Sequence, residues 1–388
     1  VFFTIFLKTE SLMIETKYVV VGSGIFGSVM AERIASVLGE AVTIIERRNA
    51  VGGNCRAEFD SETGIECHCY GSHIFHTSSR RVWEYLTQFT EFTPYRHKVV
   101  LVSGDRFYFM PVNLKTLSDM YGKIFTPASA EQFLAQNAGR VDTACNLEEK
   151  AVASVGRRCY EKLIRNYTRK QWNKDPRELP AEIITRLPVR TSFQTDYFDD
   201  PYQGMPRGGY SRMFEKMLEH PGIHIILNTD FRTIRSQIRA DATVIYTGMI
   251  DEFFDYSLGE LEWRSLRFEQ ETLPVRDYQG TAVINYADES IPYIRIHEFK
   301  HFHPEREESY RLEKSVICRE YPTMWQRGRE AFYPICTVRN QRLLEQYEVL
   351  AKKWRNVIFG GRLGCYRYWN MDDAVLHALE YFETRICK

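Results

Sequence analysis

Apolar runs and their spacing divide the chain into recognisable elements. A β-branched run, Val19-Val20-Val21, leads into Gly22-Ser23-Gly24-Ile25-Phe26-Gly27. After it, Met30, Ile34, Val37 and Leu38 recur on one helical face, and residues 41–45 read as a buried strand closed by Glu46. That order predicts a βαβ unit. Residues 98–110 predict a hairpin turning at Ser103-Gly104-Asp105. From 114 to 172 the pattern is helical: Asn146 and Glu149 form an N-cap box, and Ala151, Val155, Cys159, Leu163 and Tyr167 follow at every fourth position. Residues 189–198 and 256–320 alternate as antiparallel strands do. Residues 223–227 and 243–247 predict further strands of the first sheet, with Thr247-Gly248 as a βα turn. Near the end, 357–359 enter Gly360-Gly361, and a helix starts near Asp372.

The first unit carries chemistry. Gly22 allows a tight turn, Gly24 lets the backbone approach a pyrophosphate, and Gly27 lets helix and strand pack closely. The N–H groups at the helix start then face two negative phosphates. Glu46 can accept hydrogen bonds from a ribose. The second glycine pair, Gly52-Gly53 before Asn54, favours FAD over NAD. The expected architecture is therefore α/β: an FAD-binding Rossmann-like domain with an interleaved helical subdomain and an antiparallel β-sheet subdomain. Residues 13–92, 202–255 and 321–388 are assigned to the first. Residues 113–182 form the helical substrate and lid domain, and 93–112, 183–201 and 256–320 the sheet domain. Residues 1–12 precede Met13 and are expected to be a poorly ordered N-terminal extension.

Composition narrows the partners. The 388 residues hold 51 Lys+Arg and 51 Asp+Glu, so no global charge argues for nucleic acid or an acidic membrane. Aromatics make up 14%, including 23 Tyr, which fits a site that stacks rings or binds sugars as well as it fits a Tyr-rich core. The nine cysteines are scattered, and Cys67-x-Cys69 lacks a second zinc pair, so buried thiols in a reducing cytoplasm are expected and no metal. The apolar start is too short to span a bilayer, and no transmembrane segment is expected.

Further blocks resemble one family. Tyr70-Gly71-Ser72-His73-Ile74-Phe75-His76-Thr77 is similar to the Y-G-x-H-I-F-H-T block of UDP-galactopyranose mutases, and Tyr167-Thr168-Arg169-Lys170-Gln171-Trp172 to their Y-T-x-K-Q-W block. Leu179-Pro180-Ala181, the stretch through Arg186 to Arg190, the Pro292–Ile296 block, Tyr333-Pro334-Ile335 and the 361–368 block follow in order. The resemblance runs from about Met13 to the C-terminus and is best to the bacterial branch. It implies a redox-neutral isomerase that interconverts UDP-galactopyranose and UDP-galactofuranose by covalent catalysis through N5 of reduced FAD. By the same resemblance Arg186 and Arg295 are the paired arginines that hold the leaving diphosphate, for which planar guanidinium forks are suited. Trp172 would stack on uracil and Tyr197 flank the nucleotide, while Tyr167, Tyr333 and Tyr368 donate phenolic hydrogen bonds to phosphate. Thr168, Asn285 and His97 match substrate-contact positions. Phe26, Glu46, Arg47, Gly53, Asn54, Ile74, Phe75, Arg362 and the run Met371, Asp372, Asp373, Ala374, Val375 and Leu376 match FAD contacts.

Each residue also has a plainer reading. Without its motif Trp172 would be a tryptophan closing a helical core, and either arginine a surface ion pair. His76 reads as a structural histidine. His73 lies in the loop that the resemblance brings to the flavin, where it could tune N5 or orient the ring; general-base duty stays open. Two positions depart from relatives, Asn370 where bacterial members commonly carry Asp, and His97 where many have Asn. The rival reading is an FAD-dependent amine-oxidase-like oxidoreductase, which would have no reason to carry the arginine pair and the Trp172 block. The implied partners are the two UDP-sugars, NAD(P)H or another reductant, and a second copy as homodimer. The implied setting is cytoplasmic synthesis of galactofuranose-containing surface glycans.

Overall fold

The computed structural model describes residues 13–137, 144–185 and 188–387. The expected extension at 1–12 and the catalytic candidate Arg186 lie outside the described residues.

Short β-branched strands buried on both sides demand a parallel sheet covered by helices. Tyr18–Val21 and Val42–Ile45 pair in parallel, Val20 opposite Ile44, and both strands are fully buried. The whole sheet has five strands in the order Val357–Phe359, Thr243–Tyr246, Tyr18–Val21, Val42–Ile45, Ile223–Ile226. The helix Ile25–Leu38 leaves from Gly24 and stops at Gly39, whose φ of 67° is left-handed backbone that glycine adopts freely. Met30 and Ile34 are buried against Val375, Ala378 and Leu379 of the helix Met371–Tyr381, whereas Val37 is exposed. The carboxyl ends of the strands, at Gly22, Glu46, Thr247 and Gly360, thus come to one edge, the place where such sheets bind ligands.

The second sheet has seven strands, Tyr333–Pro334, Trp263–Leu273, Ser315–Met324, Arg295–Glu298, Val283–Tyr286, Val99–Ser103 and Arg106–Met110 in that order. It is not purely antiparallel: Val283–Tyr286 and Val99–Ser103 pair in parallel. The predicted hairpin is present, but a long connection rather than a turn joins it to Val283–Tyr286, so nothing forces the antiparallel sense. Residues 189–198 do not form the expected strand. The buried Arg190 guanidinium binds Gln194 Oε1, Asp199 Oδ1 and Asp196 O, which gathers the segment into a coil that keeps only a bridge between Lys98 and Asp196.

The helical region follows its caps. Asn146 Oδ1 accepts from the Glu149 N–H at 3.0 Å and opens the helix Leu147–Val155. Gly156, at φ 80°, ends it. Side chains spaced four apart drift around a 3.6-residue helix, and the wide turns of a π-helix over Tyr160–Arg165 absorb the drift before Asn166–Trp172 begins.

Candidate active site

The cradle at the parallel sheet is tight where glycine is required. Gly22 sits at φ +94°, and a Cβ there would lie 2.2 Å from Thr247 Oγ1. A Cβ on Gly27 would meet the Gly22 carbonyl at 2.0 Å. The first N–H groups of the helix Ile25–Leu38 receive no side-chain cap, which leaves them for an anion. Glu46 Oε2 accepts from Ser23 N and Oγ at 2.8 and 2.6 Å, and Oε1 from Arg48 N. A carboxylate offers about four lone pairs, so capacity for a ribose hydroxyl remains. Gly22, Gly24, Gly27, Glu46, Arg48 and Thr247, with Phe26, Arg47, Gly53, Asn54 and Ala374, line a cavity of ≈ 230 Å³. A glycine-walled anion site ending beside an acidic acceptor fits the diphosphate and ribose of FAD.

A second cavity of ≈ 240 Å³ opens between the helix Asn166–Trp172 and the seven-stranded sheet. It collects His73, Ile74, His76, His97, Tyr167, Thr168, Trp172, Tyr197, Asn285, Arg295, Tyr333 and Tyr368. Asn54, His73, Arg362, Asn370 and Met371 line both cavities, which therefore meet there.

Electrostatics in this chamber centre on Arg295. Its guanidinium donates to the Tyr167 hydroxyl at 2.5 Å and stands 3.5 Å from Glu320, its cross-strand neighbour. Burial works against both charges, but the ion pair outweighs it: Arg295 is held above its ordinary pKa and Glu320 below. His297 adds a 3.0 Å contact to Glu320. Burial also keeps the Tyr167 and Tyr333 phenols protonated, so they can donate. Asn285 presents an Oδ1 with no protein partner. Trp172 is 2% exposed, packs near Tyr333 and Tyr368 with centroids 6.1 and 5.7 Å away, and borders the cavity.

The histidines divide. His73 Nδ1 bonds the Gly71 carbonyl at 2.8 Å, which puts the hydrogen on Nδ1 and leaves Nε2 an acceptor, and burial pushes its pKa down to about 4. His76 lines the cavity, with Nδ1 at 2.7 Å from Asp200 and its ring stacked on Phe198. His97 bonds Tyr95 through Nδ1. Burial pushes His68 and His97 to about 3, against an unfolded value near 6.5. Below about pH 6.5 the unfolded chain takes up these protons and the folded one does not. Stability is therefore expected to fall by about 2 kcal/mol per histidine between pH 6.5 and 5. Thermal unfolding across that range measures it; an unchanged midpoint would mean that the rings accept protons in place.

Several residues that the resemblance gives as cofactor contacts line neither cavity. Phe75 lines neither cavity; it is 1% exposed and packs on Phe92 and Trp83 in the core. Of the run 371–376 only Met371 and Ala374 reach the cavity, because a helix presents i and i+3 on one face. Asp372, Asp373, Val375 and Leu376 line neither: Asp373 accepts from Asn370 N as a cap, and Val375 packs in the core behind the first helix. Residues that sequence reasoning missed are Glu320, Arg48 and Thr247. A Glu on the next strand, well beyond Arg295 in the chain, shows no motif, and only the cross-strand register brings the two together.

The comparisons agree with this geometry. A family model for UDP-galactopyranose mutase matches residues 162–368, and one for an NAD(P)-binding Rossmann-like domain matches 20–89. A probable UDP-galactopyranose mutase from Klebsiella pneumoniae is 38% identical over 93% of this chain and 92% of that protein. A dTDP-fucopyranose mutase from Escherichia coli is 35% identical over 94% of this chain and 97% of its own length. The crystal structure of a reduced UDP-galactopyranose mutase superposes with a TM-score of 0.72 over 96% of both chains at 14% identity, which speaks for the fold. Putrescine oxidase shares that fold more distantly, at a TM-score of 0.57 and 13% identity over 96% of this chain and 99% of its own. With a dinucleotide cradle opening into an arginine-centred chamber and matches along nearly its whole length, the chain belongs to the UDP-galactopyranose mutase family.

Proposed function

We propose that the protein is an isomerase that interconverts UDP-galactopyranose and UDP-galactofuranose with FAD bound in its reduced form. The observation that carries this reading is the junction of the two cavities at Asn54, His73, Arg362, Asn370 and Met371, a few side chains from the Arg295 guanidinium. When bound there, reduced FAD supplies a nucleophilic ring nitrogen for covalent catalysis at the sugar. The chain's own residues do the rest. Arg295 meets the negative charge that grows on the departing diphosphate, kept cationic by Glu320 and aimed by Tyr167. Tyr333 and Tyr368 add neutral donors, Trp172 offers a ring face for the base, and Asn285 and Thr168 offer polar contacts for sugar or phosphate. Arg186 completes the diphosphate clamp in the same proposal.

The finer reading assigns the enzyme to the cytoplasm as a homodimer that takes electrons from NAD(P)H, in the making of galactofuranose-containing surface glycans. No helix of the described residues is long and apolar enough to cross a membrane. The domain division 13–92 with 202–255 and 321–388, 113–182, and 93–112 with 183–201 and 256–320 is part of this proposal, supported by the two sheets. The test is to incubate the enzyme with UDP-galactofuranose, with and without dithionite, and follow the pyranose by chromatography. Turnover only after reduction supports the proposal. Oxygen uptake with an amine and none with the sugar would favour the oxidase instead. Because the Escherichia coli relative is named for dTDP-fucopyranose, the furanose form of that sugar belongs in the same assay. A higher kcat/KM for it would replace UDP-galactose as the substrate.

A further inference from the structure

Lys170 stands in the Asn166–Trp172 helix, between residues that line the substrate cavity, yet it is not among the lining residues itself. Its Nζ instead meets four backbone carbonyls of one loop, Tyr286 O at 2.8 Å and Asp288 O, Ile291 O and Tyr293 O at 2.9 Å. That loop joins the strands Val283–Tyr286 and Arg295–Glu298, on which Asn285 and Arg295 stand directly opposite each other. The helix is fixed from a second side by the buried Arg264, whose guanidinium donates to the carbonyls of Gln171 at 2.7 Å and Lys170 at 3.3 Å. Four carbonyl oxygens turned to one point repel one another unless a cation sits among them. An ammonium has three N–H groups and a full charge for this task; a neutral amine has two N–H groups and none.

We propose that Lys170 is a positioning residue for the nucleotide-sugar: its ammonium gathers the 286–293 loop and so sets Asn285 and Arg295 against Tyr167, Thr168 and Trp172. This rests on the substrate reading above. Other charged groups facing the ammonium are Asp288 and Glu289, the latter paired with Arg169 at 3.1 Å, while Arg264 binds the carbonyls of the helix's last turn. The Tyr286 and Tyr293 phenols both titrate above their ordinary value because burial disfavours the phenolate, so they stay neutral. Burial brings the Lys170 pKa down to about 8, with Asp288 and Glu289 opposing. Raising the pH through that value removes the charge, loosens the loop and weakens ligand binding.

The experiment uses the flavin-loaded enzyme and UDP as probe. Lys170→Met is expected to weaken UDP binding about tenfold, to raise KM for UDP-galactofuranose alongside, and to leave the flavin content unchanged. Amide hydrogen exchange in 286–293 is expected to quicken in the variant. Between about pH 7 and 9 UDP affinity should fall for the wild type relative to the variant, whose profile lacks that step. A variant that binds UDP within about twofold of wild type and keeps the step overturns the proposal. Should Lys170→Met not fold, a flat wild-type affinity over that pH range overturns it. Exchange and UDP binding are read without turnover, so failure of the mutase assay and failure of this proposal remain distinguishable.

Discussion

Arg295→Ala is expected to lose turnover by about 10²–10³-fold or more while the protein stays yellow. The guanidinium lines the substrate cavity and not the FAD cavity, so its loss should spare the cofactor. Two effects add. The departing diphosphate loses its fixed counter-charge, and Glu320, 2% exposed, loses the cation that keeps it ionised. Removing one partner of a buried pair typically costs about 3–5 kcal/mol of stability. His297 at 3.0 Å is then the group left to stabilise the carboxylate, so part of the damage should be relieved as the pH falls. Steady-state rates and visible spectra of the purified variant decide the matter. Near-full kcat would remove Arg295 from the diphosphate clamp.

The second large effect is expected at Gly27. Replacing it by Ala places a methyl group 2.0 Å from the Gly22 carbonyl and 3.0 Å from Val20 Cγ1. Neither neighbour can step aside cheaply, because one is backbone of the phosphate turn and the other belongs to the central strand. The helix must retreat from the sheet, which carries its N-terminus away from the pyrophosphate. Overpacking of this kind costs about 1–3 kcal/mol, and FAD affinity should drop by one to two orders of magnitude. The purified variant should be pale, with absorbance restored only by added FAD. Undiminished colour after dialysis would show that the turn tolerates the methyl group.

Local signals in the chain were readable and distant ones were not. The cradle was legible because the strand, the glycines and Glu46 lie within one short stretch whose turn geometry depends on its own residues. The strands at 223–227, 243–247 and 357–359 were legible because apolar runs ending at a turn carry the same signature. Residues 189–198 misled because their alternation resembles a strand, while the buried Arg190 calls its partners in from a few residues downstream. Of residues 371–376, helical phase turns only Met371 and Ala374 to the FAD cavity. Phe75 follows a cavity residue in the chain, yet strand alternation turns it into the core. Glu320 and His76 depend on cross-strand register and on Asp200, neither of which a single sequence displays.

The five-stranded sheet is stitched from pieces that leave the ribosome far apart in time: Tyr18–Val21 emerges long before Thr243–Tyr246, and Val357–Phe359 later again. Met371 and Ala374, on the wall of the FAD cavity, appear later still. A partly made polypeptide therefore has no finished seat for its coenzyme, and a fragment that stops before Val357 would lack both a sheet strand and part of the cavity wall.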